Sequence, residues 1–340
     1  MRMGTVALAL SVSLAFAAAA RAADQNLIDA ARREGQVTWY TTLLAAQLSD
    51  PMAVAFEKKY GIKAVVVSLP NDVVLRITTE ADAGLHIVDV FDGPDTVAAL
   101  KPRDLVLKWQ PDIAAGFPAD IADPDGYWTA SNLFVQTLGY NTDLVPKGAA
   151  PKTSADLLDP RWKGKMAFTV GRTMSGGPGL VGAVLLSMGE AKGMDYLRAL
   201  ARQNITTVSA GARRLLDQVI EGEFPIALQI FNYHAVISAA KGAPVAWAPS
   251  SPSTVSASVV SVAQKAPHPN AGKLLADFLV SEEGQALFRV ADYVPANPKV
   301  PPKDPSLRPG PTTFEAVSMS PDTIHASMPR WGEVFDALFK

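Results

Sequence analysis

Between Gly61 and Asp72 the chain carries Ile62-Lys63-Ala64-Val65-Val66-Val67, a run dominated by β-branched side chains and suited to a buried parallel strand. The segment before it has helical spacing. From Leu48 to Tyr60, Met52, Val54, Phe56 and Tyr60 alternate with charges, and Gly61 stops the helix. On the other side of the run, Asn71 or Asp72 can cap a helix to Ala83, and Ile87 to Phe91 is the next strand. With Val37 to Tyr40 ahead of them, these segments alternate strand, helix, strand, helix, strand. That order predicts an α/β architecture with a largely parallel sheet.

The start of the chain has a separate signature. Met1-Arg2 gives a positive start, Val6 to Ala20 is apolar, and Ala20-Arg21-Ala22 fits an A-x-A cleavage site. The run is short for a membrane span, so the expected product is an exported chain beginning at Ala23. Cleavage leaves about 318 of the 340 residues, enough for two lobes with separate cores. Losing Arg2 and Arg21 moves the formal net charge from −2 to about −4. A nucleic-acid partner, which wants a basic surface, is therefore not expected. A small anion needs only a local positive site and remains open. The absence of cysteine removes disulfides and thiolate metal sites.

Further along, Phe134 to Tyr140 and Met166 to Val170 read as strands, followed by helices over Leu180–Met188, Met194–Gln203 and Arg213–Glu221. Ile226 to Ile230 is a strand with its end at Phe231-Asn232-Tyr233-His234. Pro249 to Ser258 has the composition of a linker, and Val259 to Val262 begins another strand. Asn270–Leu279, Ser281–Val290 and Pro321–Phe339 are expected helices.

The stretch Tyr140 to Val170, YNTDLVPKGAAPKTSADLLDPRWKGKMAFTV, combines a strand end, a polar loop, an Asp156-Leu157-Leu158 helix and an Asp159-Pro160 stop. Trp162-Lys163-Gly164-Lys165 then leads into the next apolar run. That order resembles the middle of the periplasmic solute-binding proteins that feed ABC importers, particularly their ferric-iron-binding branch. The blocks Glu34-Gly35 to Tyr40 and Gly222-Glu223-Phe224-Pro225 share the resemblance. It implies a type II periplasmic binding fold, α/β, with two lobes, three inter-lobe crossings near residues 134, 255 and 293, and a cleft between the lobes. The implied parts are a signal peptide over 1–22, an N-terminal lobe of 23–133 plus 256–292, and a C-terminal lobe of 134–255 plus 293–340. A monomeric periplasmic protein without cofactor is implied, which captures a small anionic solute by lobe closure and delivers it to an inner-membrane ABC permease.

Ligands of such lobes sit at the carboxyl ends of strands. Ser175-Gly176-Gly177-Pro178-Gly179 stands there before an apolar helix, where unpaired N–H groups and the helix dipole favour an anion. An ordinary flexible loop is the alternative, but in the family resembled the matching turn holds an anion. Arg172 precedes this turn, and Arg213 opens a later helix with the planar fork that suits phosphate or carboxylate. Thr41 and Thr42 are expected to meet the solute from the other wall.

Ferric-binding relatives carry paired tyrosines where this chain has Asn232 and Tyr233, and a histidine near Thr41-Thr42-Leu43-Leu44, where it has none. Asp72 stands where some relatives have a carboxylate ligand, though a helix cap explains it equally. Ferric iron or a ferric chelate, with Tyr233 as the protein's ligand, is the second expectation. His234 is a further candidate. His268, in the Ala266-Pro267-His268-Pro269 loop, is expected to take no part. G-x-S-x-G, H-E-x-x-H and Walker A patterns are missing, so an exported hydrolase or transferase on a similar scaffold is the weakest reading, and no catalytic residue is assigned. Asp92 and Asp95 flank a Gly-Pro turn and read as turn formers.

Overall fold

The computed structural model describes residues 25–69, 72–249 and 252–340; the expected signal peptide and Asn71 lie outside them. Helix α1, described over 25–34, leads into β1 (Gln36–Thr41), then α2 (Asp50–Tyr60), β2 (Lys63–Ser68), α3 (Val73–Asp82), β3 (Val90–Gly93) and α4 (Thr96–Leu100). The expected alternation is present. Gly61 ends α2 in the left-handed conformation at φ 72°, donating its N–H to Glu57 at 2.8 Å, as a helix-terminating glycine does. β1 pairs in parallel with β2 on one side and β3 on the other. The β-branched run does not lie in the sheet interior, however. β2 is the edge strand, and Ala64, Val65, Val66 and Val67 are only half-buried.

The second half contributes β4 (Thr129–Asn141), β5 (Met166–Thr169), α5 (Gly177–Met188), α6 (Glu190–Ala201), β6 (Thr206–Val208), α7 (Ala212–Ile220), β7 (Ile226–Phe231) and α8 (Asn232–Ala240). β8 (Val245–Ala248), β9 (Ser253–Val262), α9 (Pro269–Val280), α10 (Glu282–Val290), β10 (Val294–Pro295), β11 (Ala316–Met319) and α11 (Pro321–Phe339) complete it. The strand order is β2-β1-β3-β9-β4-β7-β5-β6, with β8 and β10 pairing with β4 and β11 with β9.

Two expectations change here. Ser253 to Ser258 form not a linker but the first half of β9, wholly buried between β4 and β11. Their small hydroxyls find partners inside the sheet: the Gln136 amide lies 2.8 Å from Thr254 Oγ1 and 3.0 Å from Ser256 Oγ. Asn232 to His234 are likewise not a strand end, because β7 closes at Phe231 and the chain turns helical at Asn232.

Strand directions decide where the carboxyl ends meet. β3 and β4 are both antiparallel to β9, so β1, β2 and β3 point toward the carboxyl half of β4. β7 is antiparallel to β4 and parallel to β5, which is parallel to β6. The carboxyl ends of β5, β6 and β7 therefore point back toward the amino half of β4. The two sets face one another across the middle of that strand.

The cores follow the same division. Trp39, Phe56, Phe91, Phe278 and Phe288 anchor one cluster, which takes Leu133 and Val135 from β4. Leu138 and Tyr140 of β4 belong to a second, with Phe168, Trp331 and Phe335. A third, under α7 and α8, holds Ala167, Leu216, Ala227 and Ile230. Along β7, Ile226 and Leu228 face the second cluster and Ala227 the third, as a two-residue period requires. Ile230 breaks that parity. The register slips opposite Thr137–Gly139, and Gln229 sits in the left-handed region at φ 59°, a bulge that sends Ile230 toward α7 and α8. Near the end of the chain, Tyr293, Val294, Leu307 and Ala316 pack with the first cluster, and Val317 and Met319 with the second.

Candidate functional site

Because β5, β6 and β7 are parallel neighbours, α5, α7 and α8 all begin at one edge of the sheet. The first N–H groups of a helix have no partner within it and carry its partial positive charge. None of these three starts has a side-chain cap, and none has an acidic residue in its first turn. Arg213 stands in the first turn of α7. Such an edge favours an anion.

The turn before α5 is bound to itself. Thr169 Oγ1 donates to the Ser175 carbonyl at 3.3 Å, the Thr173 and Ser175 hydroxyls lie 3.3 Å apart, and Gly176 N–H donates to Thr173 at 3.1 Å. The two glycines answer to packing rather than to the approach of a solute. A Cβ on Gly176 would fall 2.0 Å from the Gly171 carbonyl oxygen, and one on Gly177 2.0 Å from the Phe335 ring. Gly176 lets the turn close, and Gly177 lets α11 lie on α5.

Arg213 Nη1 donates to Ser238 Oγ of α8 at 2.8 Å, and Nη2 pairs with Asp217. The guanidinium thus bridges α7 and α8 through Asp217 and Ser238, each more than a turn past its helix start. Arg172 is a correction. Its Nη2 bonds Asp336 at 2.9 Å and its Nη1 the Pro329 carbonyl at 3.4 Å, so the guanidinium is drawn onto α11.

Asn232 and Tyr233 open α8. Asn232 is fully buried; its amide nitrogen donates to Leu307 at 2.8 Å, and its carbonyl oxygen has no partner among the described residues. The Tyr233 ring is 5% exposed and stacks on Tyr293 at 5.4 Å and on Phe231 at 5.9 Å. Burial pushes its phenol well above the usual tyrosine range, with Tyr293 adding to the rise and Arg213 opposing it. His234 packs on Tyr233 at 4.3 Å. Burial and then Arg213 pull its imidazole down to about 4, so it is neutral near pH 7. Tyr233 and His234 both lie on the first turn of α8 rather than on a strand.

The facing wall is built around Asp92 at the end of β3. This fully buried carboxylate accepts from Trp39 Nε1 at 2.8 Å, Thr42 N–H at 2.9 Å and Thr42 Oγ1 at 2.8 Å; burial pushes its pKa up, and these bonds with Thr41 oppose the rise. Thr41 is itself fully buried, its hydroxyl accepting from Leu43 N–H at 3.0 Å. Thr41 and Thr42 are thus turned onto their own wall, which corrects the expectation that their hydroxyls reach out to a solute. Asp72 precedes α3, exposed and without a side-chain cap bond. Tyr293, which sequence reasoning passed over, joins the walls: it stacks on Tyr233, and its hydroxyl lies by Leu44 N–H with Asp92 near. Only its aromatic character before Val294-Pro295 hinted at this.

Two features lie apart. His268 is not a loose loop residue; its N–H and Nδ1 meet the buried Asp89 carboxylate at 2.6 and 3.0 Å. A cavity of about 270 Å³ runs on along α8 from Tyr233, lined by Ile237, Lys241, Asp292, Lys303 and Leu307 among others. Among the described residues no group of three His, Asp or Glu side chains is placed to share a metal ion, and no helix is long and apolar enough to cross a membrane.

Residues 94–313 match the family model of bacterial extracellular solute-binding proteins. Solved structures of similar fold include the Bordetella ferric binding protein, 22% identical over 89% of this chain and 98% of that one, with a TM-score of 0.73. A Trichodesmium protein, IdiA or FutA, in complex with iron and citrate is 17% identical over 89% and 99%, with a TM-score of 0.75. The periplasmic binding protein AfuA of Actinobacillus pleuropneumoniae, with fructose-6-phosphate bound, is 19% identical over 90% and 98%, with a TM-score of 0.71. At such identities the likeness is one of fold.

Proposed function

The chain belongs to the bacterial extracellular solute-binding protein family, and from that premise we propose that it captures a small anionic solute and delivers it, chemically unchanged, to an ABC permease. One observation carries the anionic part: three uncapped helix starts, α5, α7 and α8, open at one sheet edge, with Arg213 among them and no acidic first-turn residue. Backbone N–H groups of Ser175 and Gly177, Arg213, and the opening of α8 at Asn232 and Tyr233 would hold a phosphate, phosphonate or carboxylate. Thr42, braced by the buried Asp92, would stand on the opposite wall. Closure acts as a population shift, because only closed lobes touch both sides of the solute. We place the lobes' junction in the middle of β4 and along β9, with the last crossing near Ala316 and Val317, where core membership changes, rather than near residue 293 as the resemblance implied. Export to the periplasm and a monomeric state complete the reading.

Ferric iron or a ferric chelate is the second reading, favoured by the Bordetella and Trichodesmium structures and by Tyr233. Against bare iron stand the raised phenol of Tyr233 and, among the described residues, the absence of a group of three His, Asp or Glu side chains placed to complete a hard-donor shell. Mass spectrometry and metal analysis of the protein recovered from its native compartment separate the two. An organic or inorganic anion without iron is expected. Stoichiometric iron, or a visible phenolate-to-iron band on ferric titration that Tyr233→Phe abolishes, would reverse the order.

A further inference from the structure

Next to the helix starts lies an aromatic surface that an inorganic oxyanion could not use. Phe231 is the residue immediately before α8, so its ring is joined to that helix start by the covalent chain. Phe134 stands on the adjoining strand. Gln136 lies directly opposite Phe231, and Phe134 is two residues from Gln136, on the same face of β4. The rings meet at 5.2 Å and 43°. His234 closes edge-on against Phe231 at 5.4 Å and 87°. Deeper, Tyr233 and Tyr293 stack and are sealed, each 5% exposed, whereas Phe134, Phe231 and His234 are only half-buried. The open part of the column is thus the part beside the anion edge. Arg213 is tied to the same helix through Ser238, about two turns from Phe231.

Two half-open phenyl rings gain nothing from a hydrated ion, which would have to shed water against them without a returning hydrogen bond. They gain from carbon, in proportion to the apolar area covered, and from a ring laid face or edge against them. Resting on the anion reading above, we propose that the solute is an organic anion: its charged head lies at the starts of α5, α7 and α8, and its planar or ring-shaped carbon skeleton lies on Phe134 and Phe231. Specificity for the skeleton then belongs to these two phenylalanines, and affinity for the head to the backbone N–H groups and Arg213.

The test is a series with constant head and growing tail. Calorimetry with inorganic phosphate, methyl phosphate and phenyl phosphate reads it on the full exported chain, and acetate against benzoate repeats it for a carboxylate head. Phenyl phosphate or benzoate is expected to bind at least roughly ten-fold more tightly than its small counterpart, the scale of one covered ring. Phe231→Leu and Phe134→Leu, which keep apolar bulk and are checked for native circular dichroism, should each bring that ratio toward one. Equal affinity of small and ring-bearing anions, or a ratio unmoved by both substitutions, overturns the inference. If small anions bind with a dependence on Arg213 and the ring adds nothing, only this inference falls. If no anion of either series binds in a manner sensitive to Arg213→Ala, the anion reading falls with it.

Discussion

Arg213 is held by Ser238 and Asp217 before any solute arrives, so its fork is positioned in advance and little side-chain freedom remains to be lost on binding. Replacing it by Ala should weaken binding of the co-purified solute by about 1.5–3 kcal/mol, the scale of a charge-assisted hydrogen bond. Calorimetry would read this as roughly ten- to hundred-fold in Kd; an unchanged Kd would remove Arg213 from the site. His234 gives a second residue-scale prediction. Its folded-state pKa of about 4 lies below the ordinary 6.5, so protonation favours the unfolded chain. The stability of the neutral, half-buried ring is complete above about pH 6.5 and is lost as pH falls toward 4, by on the order of 3 kcal/mol at most. Arg213 reinforces the effect and Asp217 opposes it. Urea midpoints of the parent and His234→Asn, tracked from about pH 7.5 to 4.5, should converge or cross in favour of the variant. Parallel curves would mean that the imidazole is not held neutral.

At the scale of elements, the start of α5 couples the turn to the last helix. Gly177 leaves room for Phe335, and a Cβ at Gly182 would meet the Trp331 ring at 2.6 Å, so α11 lies on α5 over a surface without side chains. Gly177→Ala should therefore overpack this contact and cost about 1–3 kcal/mol of stability. Thermal unfolding monitored by circular dichroism checks it. An unchanged Tm would mean that α11 shifts freely, and the glycine would return to a role at the ligand. The Ser-Gly-Gly run was legible as a turn before a helix, but not its reason, because Phe335 is remote in the chain and adjacent only in the fold.

At the scale of the molecule, β4 and β9 are the long strands that tie the halves, and the strand ends of each half point at the other. Solute that touches both walls should draw them together. Small-angle scattering with and without the co-purified solute should show a smaller radius of gyration when bound, and an unchanged radius at saturation would count against closure. The stacked Tyr233 and Tyr293, joining α8 to the segment before β10, mark where such a movement must pivot or part.

The alternation of strands and helices, the α/β class, the stop at Gly61, the α11 span from Pro321 to Phe339 and the candidate anion turn were all legible in the sequence by itself. Each depends on interactions within a few residues: hydrophobic periodicity, a helix-ending glycine, a polar turn before an apolar run. Tertiary structure alone decided the rest. It put the β-branched run of β2 at an edge, buried the serines and threonines of β9, turned Thr41 and Thr42 onto Asp92, drew Arg172 onto α11, and stacked Tyr293 on Tyr233. In each case the deciding partner lies far along the chain. Whether a hydroxyl or guanidinium is free for a solute depends on what the fold sets beside it, and a local pattern does not contain that neighbour.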